Sequence, residues 1–498
     1  MTVPETAPPP VVVDGESLTV EAVQRVAVGG TQVHVPPRCL IVARLGRTPQ
    51  AAGDLVSGGP AGPETALAQE NLVRSHSAGV GRLFAEDEVR AMMVARLNLL
   101  AKGHDPVRTE VLGRLVHYLN LKVTPAVPQT GSSGTLGDLT PLAHIAETLI
   151  GEGSVLHDGR PSDTRTVLGR RGLGPFGLRG REALTLMSGN AATVGLGCLV
   201  VHRALDQVRH AEVVSALLLE AFGGLDDAPV RGEDAGGAHR GTADCASNLR
   251  DLLRGRTPLL GERPDRSPAV RSVAQVLGPV RNTLRYVAGA LEAELNAGDG
   301  DVLLRGEDGT VHGDGLPGHS AAFVLDFATI ALTQLGILAE RQLARLLSGV
   351  PRYGLPPSLV AADPALNSGF AGLRHTAAAL VGENRALAPV STRSAAADHP
   401  EGPAAAGLPA ARATRKALDN NDRILAMVFL AAAQAVDLGR RYDGMAPATR
   451  AAYDALRSLV PALGVDRHMA GDTELVAAAL SSEHLLGALA RYARITLR

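Results

Sequence analysis

VPQTGSSGTLGDLTPLAHIAETLIGEG, residues 127–153, runs from a Gly- and Ser-rich turn into an apolar helical pattern. Gly137 and Asp138 in its LGDL step suit a tight turn followed by a helix start, because Gly accepts turn dihedrals and Asp favours the cap. Asp138 and His144 are read as scaffolding for the loop that precedes them. The helix signals continue on both sides. EDEVRAMMVARLNLLAKG (86–103) places acids in its first turn, Lys102 in its last and Gly103 just beyond, and is predicted to be an amphipathic helix. PVRTEVLGRLVHYLNLKV (106–123) repeats the pattern, and residues 21–65 read as mixed and loop-rich.

Beyond about residue 180 the predicted helices lengthen. REALTLMSGNAATVGLGCLVVHRALDQVRHAEVVSALLLEAFGG (181–224) and SAAFVLDFATIALTQLGILAERQLARLLSG (320–349) have apolar residues recurring at three and four, the period of a buried bundle. Helices apolar on nearly every side need cover on every side, which predicts contacts between copies of the chain. Asp326, Thr329 and Gln334 break the apolar run at 321–338, so it reads as a core helix and no membrane span is expected. Two domains are expected, a loop-rich N-terminal one over 1–180 and a helical one over 181–498. The loops at 223–241 and 389–407 read as surface excursions or lids.

The whole chain narrows the function. Its 498 residues carry a net charge of −2, with 49 Lys and Arg against 51 Asp and Glu, interspersed. No nucleic-acid or acidic-membrane partner is expected, since phosphate binding needs a concentrated basic surface. The three cysteines, Cys39, Cys198 and Cys245, are too few and too scattered for a disulfide framework. MTVPETAPPP lacks the basic and apolar regions of a secretory signal, so a cytoplasmic location is expected. No spacing of His, Asp or Glu suggests a metal site.

Several stretches together resemble the aromatic amino acid ammonia-lyase and aminomutase family, most closely its histidine ammonia-lyases. ENLVRSHSAGVG (70–81) and VRAMMVARLNLLAKG (89–103) are similar to the family's N-terminal domain, and 127–153 to its signature region. LEAELNA (291–297), LNSGF (366–370) and ALVGENRALA (379–388) are similar to its central helices, and DNNDRILA (419–426) and VDRHMAGD (465–472) to its C-terminal third. The resemblance implies a mainly α fold with a long central helical bundle, assembled as a homotetramer with each active site drawn from three subunits. It also implies a cofactor made from the chain. An Ala-Ser-Gly tripeptide cyclises, loses two waters and becomes 4-methylideneimidazol-5-one, the central Ser giving up its hydroxyl.

Laid ungapped on that pattern, the tripeptide falls on Thr135-Leu136-Gly137. Leu136 has no hydroxyl to lose, so no methylideneimidazolone is expected at that position. Ser132-Ser133-Gly134, three residues upstream, is the one alternative with a Ser before a Gly. Other family positions also change. Asp54 stands at the catalytic Tyr, Ser188 at the Asn of the NGT motif, Asp265 and Pro268 at the Gln and Tyr of QDPYSLR, Leu316 at a Phe, and Ala397 at a Glu. His76 and Arg271 match the family's active-site His and carboxylate-gripping Arg. A guanidinium suits a carboxylate because its planar fork makes two hydrogen bonds.

These residues predict a cofactor-independent enzyme acting on a carboxylate-bearing intermediate of specialised metabolism. Cyclisation, conjugate addition, elimination and isomerisation would all fit. His76, Asp54 and Asp265 would carry the proton chemistry, with Arg271, Ser188, Leu316, His319 and His399 around the substrate. Two alternatives stand beside it. One is a non-catalytic homologue that binds a small carboxylate or joins a paralogous lyase in mixed tetramers. The other is a working ammonia-lyase whose cofactor arises at Ser132-Ser133-Gly134.

Overall fold

A computed structural model describes residues 8–40, 63–103, 107–132, 137–222, 239–257, 265, 267–297, 304–305, 311–312, 319–349, 354–390, 406–482 and 484–498. Helices dominate, joined by short two- and three-stranded sheets. Contacts divide the chain into two compact units. The first holds Met1–His202, Val287–Asp326 and Val390–Arg412, and the second Arg203–Tyr286, Phe327–Pro389 and Ala413–Arg498. The units interleave along the sequence, whereas a division at residues 180 and 181 is linear. Four of the five unit boundaries fall inside long helices: Ala191–Ala221, Val273–Asn296, His319–Leu347 and Gly407–Gly439.

In the first unit the helix Glu86–Ala101 lies at the centre. It departs from the amphipathic expectation, for it is buried on every face from Glu88 to Ala101. Two of the polar residues inside it, Arg90 and Asn98, bond to main chain. Arg90 donates to the carbonyls of Val26 (2.7 Å), Ala27 (3.2 Å) and Leu119 (3.0 Å). Two of those carbonyls close the helix Val20–Ala27, where a cation is favoured by the helix dipole and by the unpaired C-terminal carbonyls. That helix begins at Thr19, whose hydroxyl accepts from Ala22 N at 3.1 Å, a regular N-cap inside the stretch expected to be loop-rich. Asn98 accepts from Gly15 N and donates to Leu295 O, both at 2.9 Å. The strand Val80–Leu83 pairs antiparallel with Pro128–Thr130, which brings the 70–81 stretch to the edge of the signature region.

The second unit is organised around buried amides. Asn384 donates to Asn421 and Asn420 donates to Asn384, each at 2.9 Å. Asn421 donates to Leu332 O at 2.8 Å and to Gln207 at 3.2 Å. Gln207 donates to Asp422 at 2.6 Å. Gly336 makes the approach feasible, since a Cβ there would sit 2.4 Å from Asn421 Oδ1. The GENR and DNND stretches are thus two halves of one hydrogen-bonded core. The helix His319–Leu347 is long and apolar enough to cross a membrane, yet 72% of its most apolar window is buried within the protein.

Candidate active site

The signature loop is tied down at both ends. Gly137 forms a parallel bridge with Gly189, and Asp138 N donates to Gly189 O at 2.8 Å. Both glycines have positive φ, +81° and +95°, which a side chain would strain. The Asp138 carboxylate then turns away from its own helix, Leu139–Leu149, and caps another. Its Oδ2 accepts from Thr193 N at 2.6 Å and its Oδ1 from Thr193 Oγ at 2.9 Å, at the first turn of Ala191–Ala221. Ser132 Oγ donates to Gly137 O at 3.2 Å and reaches Asp138 Oδ1 at 3.5 Å. Burial pushes the Asp138 carboxyl from its ordinary 3.8 up to about 6, against the pull of donors from Thr193, Ala192 and Ser132. The scaffolding role read for Asp138 is this cap, supplied across the sequence to a helix more than fifty residues on.

His144 fastens the other side. Gly79 N donates to its Nε2 at 3.1 Å, so the neutral ring carries its proton on Nδ1, which faces Glu147 at 3.2 Å. Neither Gly79 nor Gly131 leaves room for a side chain. A Cβ on Gly79 would lie 3.0 Å from His144 Nε2, and one on Gly131 2.7 Å from Thr140 Cγ2.

His76 ends the helix Pro63–His76 and is half-buried. Its Nδ1 lies 2.9 Å from Leu72 O and 3.0 Å from Ser75 Oγ. A carbonyl only accepts, so Nδ1 holds the proton and Nε2 presents a lone pair. Ser188 is buried and donates to Leu184 O at 2.9 Å, closing the short helix Glu182–Met187. Two residues on, buried Asn190 donates to Glu294 Oε2 at 2.7 Å. Sequence reading missed that pair. Its only trace was Glu294 inside LEAELNA, 104 residues from its partner. His319 opens its helix with its ring edge-on to Phe323 at 6.0 Å, and its buried Nδ1 has no partner among the described residues. His76, Gly137, Ser188 and His319 all belong to the first unit.

Asp265 and Arg271 belong to the second. Asp265 is not poised as an acid–base group. Arg345 pairs with it through Nε at 2.9 Å and through a second guanidinium nitrogen, and Ser267 N donates to it at 2.8 Å. Burial alone would raise its carboxyl. Arg345 and Ser267 outweigh that and hold it below the ordinary range, ionised and committed to an ion pair. Arg271 ends the short helix Pro268–Arg271, is exposed, and makes no side-chain hydrogen bond or ion pair among the described residues. Asp54, Thr135, Leu136, Leu316 and His399 lie outside the described residues, as do Ser133 and Gly134. Among the described residues no group of His, Cys, Asp or Glu is arranged to hold a metal ion.

The family model for aromatic amino acid lyases matches residues 51–458. The chain belongs to the aromatic amino acid lyase family. It is 46% identical to the MIO-dependent tyrosine 2,3-aminomutase of Streptomyces globisporus, MIO being the methylideneimidazolone, over 99% of each chain. It is 39% identical to the tyrosine ammonia-lyase of Cupriavidus metallidurans, over 95% of this chain and 96% of that one. The crystal structure of the S. globisporus tyrosine aminomutase superposes with a TM-score of 0.89, covering 98% of this chain and all of that one. The ammonia-lyase fold read from the sequence is therefore the fold of this protein. The expected absence of a methylideneimidazolone is overturned by the same comparison. A relative matched from end to end at 46% identity is named for its dependence on that group. The expectation took Leu136 and the changed pocket positions together as the loss of the family chemistry, against a frame that agrees along the whole chain.

Proposed function

We propose that this protein acts on an aromatic α-amino acid, with tyrosine as the first substrate to test, as a lyase or aminomutase. The observation that carries the reading is the capped signature loop: Asp138 on Thr193, the Gly137–Gly189 bridge and His144 on Gly79. A frame of this kind fixes a short reactive loop against the start of a long helix. The relatives named for tyrosine chemistry supply the substrate class.

When present, the cofactor supplies an electrophile that makes the amine a leaving group. Thr135-Leu136-Gly137 does not fit as its precursor, because Leu136 has no hydroxyl. Ser132-Ser133-Gly134 has the required hydroxyl at its centre, and we assign the precursor to it. The chain's own residues divide the remaining work. His76 Nε2 carries a lone pair and exchanges a proton with the substrate. Arg271 has its guanidinium free to take the carboxylate. Ser188 and the Asn190–Glu294 pair line the turn behind the loop. Loss of ammonia leaves an α,β-unsaturated acid, and re-addition at the β-carbon gives a β-amino acid. The assembly proposed is a homotetramer in the cytoplasm. An apolar groove lined by the exposed side chains of Tyr286, Phe327 and Ile330 supports contact with further copies.

Intact mass and turnover test this together. The expected result is a chain lighter than its sequence by two waters, releasing ammonia or forming a β-amino acid from tyrosine. Native mass spectrometry of the same sample should give four identical chains. A chain at full sequence mass with no turnover of any aromatic amino acid would refute the assignment.

A further inference from the structure

The second unit contains a cleft of about 630 Å³ that no step above uses. That volume is in the range of small-molecule sites, ~300–1,000 Å³. One wall is a single face of the helix Pro447–Leu459. Pro447, Arg450, Ala451, Asp454, Ala455 and Ser458 recur at three and four, opposite the core face of Ala448, Ala452 and Leu456. The other walls are the turn at Asp443–Met445 and the segment carrying Arg491 and Tyr492.

Its charges are of both signs and largely uncommitted. Among the described residues Arg450 donates only to the main-chain carbonyls of Asp443 (3.0 Å) and Met445 (3.5 Å), its buried Nε has no hydrogen-bond partner, and its guanidinium lies over the Tyr442 ring, 5.1 Å from the centroid. About two turns further along the same helix, Arg457 is neutralised by Asp437 at 2.6 Å, while neither Arg450 nor Arg491 has such a carboxylate among the described residues. Among the described residues Asp443 makes no side-chain hydrogen bond, and Asp454 accepts only from the Tyr442 hydroxyl, at 3.1 Å. Tyr492 is 76% exposed, an unusual position for an aromatic ring unless something covers it.

We infer that this cleft binds a free aromatic α-amino acid, separately from the family site. A simple anion would meet two carboxylates as well as two guanidiniums. A zwitterion satisfies both signs, its carboxylate on Arg450 and Arg491 and its ammonium on Asp443 and Asp454. The ring lies on Tyr492 and the apolar floor at Met445 and Ala451. The inference does not rest on the proposed reaction, since none of these residues takes part in it.

The test uses the full-length protein. Crystals grown with 3-iodo-L-tyrosine should show an iodine anomalous peak against Tyr492. In solution, calorimetry with L-tyrosine should show one saturable site beyond the family site, and that site should be lost in R450Q/R491Q, with melting temperature and turnover unchanged. Tyramine and 3-(4-hydroxyphenyl)propanoate each lack one charge and should bind this site on the order of tenfold more weakly. Equal binding by these two probes, or a double variant that binds as many tyrosines as the natural protein, would overturn the inference. So would iodine density with no solution binding, which means binding at crystal concentration only.

Discussion

Replacing Asp138 separates what its charge does from what its shape does. Its carboxyl is pushed from 3.8 to about 6 by burial. Between those values the folded chain holds a proton that the unfolded chain has released. Stability from this group is therefore complete below the unfolded value and is lost as pH rises through the folded one. The whole span is worth roughly 3 kcal/mol, of which roughly 1.4 kcal/mol falls between pH 5 and pH 7.5. Asp138→Asn keeps the shape. Its Oδ1 can accept from Thr193 N while its Nδ2 donates to a rotated Thr193 hydroxyl, so at pH 5 it should lie within about 1 kcal/mol of the natural protein. Asp138→Ala strands the N–H groups at the start of Ala191–Ala221 and should cost about 2–5 kcal/mol at either pH. Urea denaturation at the two pH values reads all three proteins. The natural protein should lose stability between them, and the Asn variant should lack that component. Identical pH slopes for the natural and Asn proteins would refute the buried, titrating cap, and an Ala variant as stable as either would refute the cap altogether.

Three more outcomes follow from the same geometry. Gly131→Ala drives a Cβ to 2.7 Å from Thr140 Cγ2, so thermal unfolding should report a loss of about 1–3 kcal/mol. His76→Gln removes the Nε2 lone pair and should lower kcat by on the order of a hundredfold or more with little change in melting temperature, an unchanged kcat being the result that excludes His76 as the proton carrier. Asp265→Asn breaks the ion pair with Arg345 and should destabilise by about 2 kcal/mol while leaving KM for tyrosine unaltered, whereas an acid–base role would show first in the pH profile of kcat.

What the sequence made legible was local. The turn and helix start at Gly137–Asp138 and the bundle period beyond residue 180 all have short-range chemical causes. The family frame was legible because many such stretches agreed in order. Partners far apart along the chain were not. Nothing near Asp138 names Thr193, nothing near Asn190 names Glu294, and nothing near Asp265 names Arg345. Glu86–Ala101 looked amphipathic because Arg90, Arg96 and Asn98 are polar. Their burial becomes intelligible only once the carbonyls that receive Arg90 are seen. The cofactor expectation failed differently, since substitutions at Leu136 and at several pocket positions were read together as the loss of a whole chemistry.

The amide core of the second unit has a further consequence. Gln207, Asn384, Asn420 and Asn421, with the Leu332 carbonyl, interlock four helices through donors and acceptors in fixed alternation. Apolar surfaces tolerate sliding, because one methyl contact replaces another at little loss. An alternating amide ladder does not, since a shift of one turn would face donor with donor. The array works as a keyed joint with a single seating. With alignment stored there, the apolar neighbours can drift and the distant loops can be rewritten without the helices losing their place. A family that has turned one scaffold to several amino acids would need an interior of that kind.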